Sequence, residues 1–316
     1  MNSPGYNLKK QIVKTKILIR AIPVFSAILI CCTFQVTGQS NRMDSLIYGK
    51  NLTVINGTIP TYYSMSCKER ANESHLLLQD ISKMYSSNGN NEFKLKLAVI
   101  DSTDWTGFAV PYGFGFISQG WIIIPGDLNF DKLSHLWGYY KFRDVMKINI
   151  KKISKDPEKQ LIDAIYKFFP VHELGHYYIS NILGARNPDK WTNELMASYF
   201  TMDFLSKIDK KAEKTINIFS STYAKEYQPA YRTLIDFNTK YAAVGLENYI
   251  WYSQMFILMG EEIHSKYKSD FIKSYAKTFP KTPDPKKFPQ EELLKIMNDL
   301  TGGITSKWIK IMEGNS

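Results

Sequence analysis

The chain has 316 residues, 44% hydrophobic and 22% charged, with a formal net charge of +10. That length and balance fit one large or two small globular domains with a sizeable core, and exclude a disordered or low-complexity chain. The basic excess is spread along the sequence with no long Lys/Arg block, so it describes a solvated surface and argues against a nucleic-acid partner.

Residues 1–38 read as a signal peptide. Lys9, Lys10, Lys14, Lys16 and Arg20 form a basic start, Ala21 to Phe34 an apolar run, and Val36-Thr37-Gly38 a cleavage site before Gln39. The run is shorter than the roughly 20 apolar residues of a spanning helix, so the expected product is exported, with no stable membrane span after cleavage. Cleavage would leave 35 basic and 30 acidic residues, a net charge of +5. Cys31 and Cys32 lie inside the apolar run, but Ile30 and Cys31 stand where lipid attachment needs a small residue. Cys67 then remains alone, which rules out an internal disulfide and reads as a small buried apolar residue.

Residues 43–60 read as an extended region with a turn at Asn56-Gly57. Helical spacing of apolar residues predicts a helix over 64–85. Phe93 to Ile100 alternates as a strand. Gly107 to Gly115 is a Gly/Pro-punctuated loop, and Phe116 to Ile124 a second strand, stopped by Pro125-Gly126. Helical patterns follow at 131–146 and from Ser154 to Leu183, with Pro157 near the start, a kink or fresh start expected at Pro170, and Gly184 as the stop. Further helices are predicted at 189–207, 226–242, 246–266 and 268–278. The proline-rich segment 279–290 reads as a wrapping loop, followed by two short helices. The fold class is α+β: an N-terminal β-containing part (39–150), a mostly helical part (151–278) and a C-terminal segment (279–316).

The stretch that carries chemistry is Val171-His172-Glu173-Leu174-Gly175-His176. On a helix, residues four apart lie one turn above each other, so His172 and His176 can aim ring nitrogens at one metal ion. Glu173 is rotated about a quarter turn, so its carboxylate can lie beside the metal and serve as general base. A catalytic zinc needs a third protein ligand and an open position. Ile179 and Ile182 occupy the positions where metzincins carry Gly and His, which excludes that class. A helix–loop–helix hairpin would return the chain past His176 near Trp191-Thr192-Asn193-Glu194-Leu195-Met196-Ala197, where Ala197 is small enough for close helix contact. Glu194 is the candidate third ligand, with Asp189 and Asp203 as substitutes.

The pairing of H-E-L-G-H with a downstream N-E-x-x-A resembles the gluzincin metallopeptidases, particularly their aminopeptidase-like branch. The resemblance spans about 30 residues, His172 to Ala197. It implies a zincin-like fold, a Zn2+ cofactor held by His172, His176 and Glu194, and Glu173 as catalytic base toward a peptide or protein substrate. It also implies an edge strand that aligns extended substrate, for which Trp121-Ile122-Ile123-Ile124 within 116–124 is the candidate, and a tyrosine or histidine supporting the oxyanion. Tyr249 and Tyr252 are the first candidates for that role, with Tyr231 and His264 behind them. The chain lacks the G-x-M-E-N motif of the aminopeptidases. Ser198 stands where thermolysin-like members carry an Asp that orients a ligand His, so the surroundings of the metal must differ. The same residues are compatible with a zinc-binding surface module that cleaves nothing, or with hydrolysis of a non-peptide amide or ester.

Overall fold

The computed structural model describes residues 40–86, 93–282 and 287–314; the signal-peptide reading falls outside them. The fold is α+β. A five-stranded mixed sheet has the order β1 (Thr53–Ile55), β2 (Thr61–Tyr63), β3 (Lys96–Ile100), β5 (Trp121–Pro125), β4 (Phe116–Ser118). β2, β3 and β5 run parallel, and β1 and β4 are antiparallel edges.

Residues 43–48, expected to be extended, belong to helix α1 (Ser40–Tyr48), and the turn at 56–57 lies in the β1–β2 connection. Helix α2 (Lys68–Ser86) fills the predicted 64–85 window and crosses over between parallel β2 and β3. The central strands β3 and β5 are buried on both faces. Ile122 and Ile124 pack into the main core, while Trp121 and Ile123 join a second cluster with Ile47, Trp105 and Phe116.

The single strand expected over 116–124 is a tight hairpin. Gln119 (φ 49°) and Gly120 (φ 78°) both adopt left-handed backbone, the turn that matches strand twist, and Gly120 takes it without steric cost. Likewise the helix expected at 131–146 is split by Gly138 (φ 72°) into α3 (Phe130–Leu136) and α4 (Arg143–Lys151), with a short 3-10 turn between. A side chain at Gly138 would collide with Glu247.

The helical layer is built on α5 (Pro157–Tyr177), capped by Asp156, whose side chain accepts from the Lys159 amide. α5 runs unbroken through Pro170, so there is no fresh start, although the ring removes one backbone donor. A π-helical turn (Tyr178–Ile182) follows, and the chain reverses at Gly184. α6 (Lys190–Ile208) starts from a capping box between Asp189 and Thr192. Asp209 ends α6 and caps α7 (Lys210–Glu226), accepting from the Lys211 and Ala212 amides. The sequence reading places no helix over 208–225, which α7 occupies; of the helix predicted at 226–242, residues 227–233 are irregular around Pro229, and α8 (Leu234–Lys240) is the α-helical part after them. α9 (Leu246–Tyr267), α10 (Asp270–Thr278), α11 (Gln290–Thr301) and α12 (Ile304–Glu313) complete the layer.

The main core runs from Ile59 to Met312 and joins sheet and helices. Each fully buried Leu, Ile or Phe adds about 1.5–3 kcal/mol. Gly175 of α5 lets that helix approach α6 closely at Ala197: a Cβ at Gly175 would lie 3.1 Å from Ala197 Cα and 3.2 Å from its carbonyl oxygen. Gly175→Val should therefore overpack this junction, cost about 1–3 kcal/mol and lower the melting temperature in thermal denaturation; an unchanged melting point would mean the helices separate freely.

Candidate metal centre

His172, Glu173 and His176 lie on the last two turns of α5, and Glu194 lies on the second turn of α6. Because the two helices touch at Gly175, the side chains one turn away meet. His172 Nε2 is 3.3 Å and His176 Nε2 is 3.9 Å from the same oxygen, Glu194 Oε2. The two rings meet edge to face with centroids 4.9 Å apart. Two donors on a tetrahedral zinc, each about 2.0–2.1 Å from it, lie about 3.3 Å apart. The His172–Glu194 pair has that spacing, and the His176–Glu194 pair is somewhat wider.

A second triad can also be drawn: ligand atoms of His172, Glu173 and His176 all lie within 4.8 Å of one another, and that group could hold a metal ion. Glu173, however, points toward the sheet. A side chain at Gly115 would touch its Cγ and Oε1 at 3.4 Å, and the Ile117 amide of β4 bonds its carboxylate. Glu194, by contrast, presents one oxygen to both imidazoles, and Glu173 sits beside it between α5 and the edge strand.

Burial dominates the electrostatics. It pushes the Glu173 carboxyl up to about 7, helped by the charge of Glu194 and opposed by His172 and the Ile117 amide. It pushes His176 down to about 4, aided by His172 and opposed by Glu194. Burial works against the charge of His172, but its hydrogen bond to Glu194 and the charges of Glu173 and Glu194 together outweigh that and raise its pKa. Glu194 is drawn below the usual carboxylate range, since His172, His176 and the Tyr241 hydroxyl together outweigh its burial.

Both Nδ1 atoms, of His172 and of His176, are buried without a hydrogen-bond partner. Ligating imidazoles ordinarily donate from the second nitrogen. Ser198 is buried and lines the cavity without serving that role, in keeping with the departure visible in the sequence.

The site opens into a cavity of about 950 Å³. Its walls include β4 and the turn after it, the aromatic rings of Phe114, Trp137, Phe168 and Phe169, and Tyr241 and Tyr249. Of the strand expected to face substrate, β5 (Trp121–Pro125) is wholly buried between β3 and β4, so the edge belongs to Phe116–Ser118. Sequence reading missed this because the Ser118-Gln119-Gly120 turn sits within an otherwise β-forming run.

Tyr249 lines the cavity, with its hydroxyl 3.4 Å from that of Tyr241. Tyr252 is fully buried elsewhere and donates to the Thr233 carbonyl at 2.8 Å. Tyr231 lies outside the cavity lining, its amide donating to Asn248. Asp189 lines the cavity but is engaged as the α6 cap and with Asn238. Tyr241, which the sequence did not single out, donates to Glu194 Oε1 at 3.2 Å. No signal marked it, since the pattern placed it inside a continuous helix.

Asp203 and His264 meet each other, remote from the cavity lining. Asp203 is 3.1 Å from His264 Nε2, and accepts from Lys207 at 2.7 Å, Ser269 at 2.8 Å and Tyr85 at 3.0 Å. It thus ties α6 to α2 and α9. Burial opposes its charge, but the bonds from His264, Lys207 and Ser269 hold its carboxyl well below the usual range.

No protein-family model matches the chain, and neither a curated protein nor a solved structure matches it.

A carboxyl held below its unfolded value stabilises the fold fully above about pH 4 and loses that effect as pH falls. Asp203→Asn should therefore cost about 1.5–3 kcal/mol at pH 7, with the gap from wild type closing below pH 4. Denaturant melts at several pH values check this; a gap that does not change with pH would contradict it.

Proposed function

We propose that this chain is a zinc-dependent metallohydrolase that cleaves peptide bonds, with a zincin-like arrangement similar to that of gluzincins. The observation that carries the reading is the convergence of two helical imidazoles on one oxygen of Glu194, with Glu173 beside them at the edge strand. His172, His176 and Glu194 would hold the ion: two nitrogens and one oxygen suit zinc, and three protein ligands leave a position open. Zinc, when bound, polarises a carbonyl and lowers the pKa of water from about 15.7 to about 7.

The protein's own groups do the rest. Glu173 is buried, so its carboxylate is a stronger base than one in water. It takes a proton from the attacking water as the new carbon–oxygen bond forms. It then delivers that proton to the departing amine nitrogen as the carbon–nitrogen bond breaks. β4, at the open edge of the sheet, offers backbone donors and acceptors to an extended peptide. The aromatic walls exclude water and accept apolar side chains.

Glu173→Gln should keep its zinc and lose about 100-fold or more of the hydrolysis rate, while His172→Ala should lose the zinc itself. A fluorogenic peptide library and elemental analysis measure both. A fully active Glu173→Gln, or a zinc-loaded wild type that cleaves nothing in the library, would contradict the peptidase reading.

A further inference from the structure

The two oxygens of Glu194 have different surroundings. Oε2 faces both imidazoles, whereas Oε1 accepts the Tyr241 hydroxyl at 3.2 Å. That hydroxyl lies 3.4 Å from the Tyr249 hydroxyl, so Tyr249 can donate to Tyr241 while Tyr241 donates to Glu194. In a chain of this kind each bond polarises the next.

Tyr241 is held there by unusual backbone. It follows α8 with φ 43° and ψ −101°, a region that a side-chain-bearing residue rarely adopts. Its surroundings maintain that conformation. Asn238 bonds Asp189, the Lys190 ammonium and the Trp191 amide, so the end of α8 is fastened to the start of α6. The Tyr241 ring packs edge-on against Phe237 and Tyr249, with Lys190 Nζ 4.8 Å from its centre. The strained residue is thus anchored to the start of α6, one turn before Glu194.

We propose that Tyr241 is a positioning residue that occupies Glu194 Oε1, so that Glu194 offers the metal a single oxygen and the ion keeps its open position. This rests on the zinc reading above. Without the hydroxyl, Oε1 is free to swing toward the ion, and a second carboxylate oxygen would take the place needed by the reacting carbonyl. Tyr249 supports Tyr241 from behind.

Cobalt(II) added to the purified metal-free chain reports coordination number through its visible absorption, which is strong for four ligands and weak for six. Wild type should show the strong four-coordinate bands. Tyr241→Phe should weaken them toward higher coordination and lower cobalt affinity about 10–100-fold, with its circular dichroism unchanged. Tyr249→Phe, which leaves the Tyr241–Glu194 bond in place, should produce a smaller change in the same direction. A four-coordinate wild type whose Tyr241→Phe variant has the same spectrum and affinity would overturn this assignment alone. A wild type that takes up no cobalt would overturn the metal reading and this assignment together.

Discussion

Gly175 and Ala197 set the distance between α5 and α6, and the whole site inherits that distance. A hydrogen atom at position 175 lets the helices approach until only 3.1–3.2 Å would separate an added Cβ from the backbone of Ala197. His172 and His176 lie on one side of Gly175, and Glu194 lies one turn before Ala197. The approach therefore brings a carboxylate to two imidazoles as a consequence of packing, before any ligand is considered. Such a junction is rigid because interiors are close-packed, so the three groups are pre-arranged rather than gathered on binding.

Holding two carboxylates and two imidazoles in a nearly dry place is costly, and the fold offsets that cost locally. Glu194 gains the Tyr241 hydroxyl and both imidazoles, and lies near the start of α6, where negative charge is favoured. Glu173 gains the Ile117 amide from the edge strand. The two Nδ1 atoms gain nothing. Further along α6, Asp203 fastens the helix to α2 and α9 through a separate polar cluster, so α6 is fixed at both ends. The sheet contributes position: β4 lies at its edge and forms a wall of the cavity beside Glu173.

What could be read from the sequence follows the range of the forces involved. The imidazole spacing, the helix start at Ser154 to Pro157 and the α6 pattern are local, and α5 and α6 form close to where the pattern places them. Reading failed where two elements abut without a spacer or where tertiary contacts set the conformation. α7 begins directly after Asp209, so its start was lost against the end of α6. The helix expected over 226–242 ignored the Gln228-Pro229 step, which disfavours helical backbone before the proline. Tyr241 takes its backbone from contacts with α6 and α9, which no local pattern reveals. Tyr252 shows the converse: it shares α9 with Tyr249 but points to the core, because three positions along a helix turn a side chain through about 300°.

The proposed function requires three side chains to share one ion, and metal stoichiometry tests that requirement most directly. Elemental analysis of the purified protein, after zinc loading and dialysis, should give about one zinc per chain for wild type. Glu194→Ala, which leaves both histidines in place, should retain little or none. No zinc in the wild type, or full zinc in Glu194→Ala, would contradict the claim that packing of α5 on α6 builds a three-ligand metal centre.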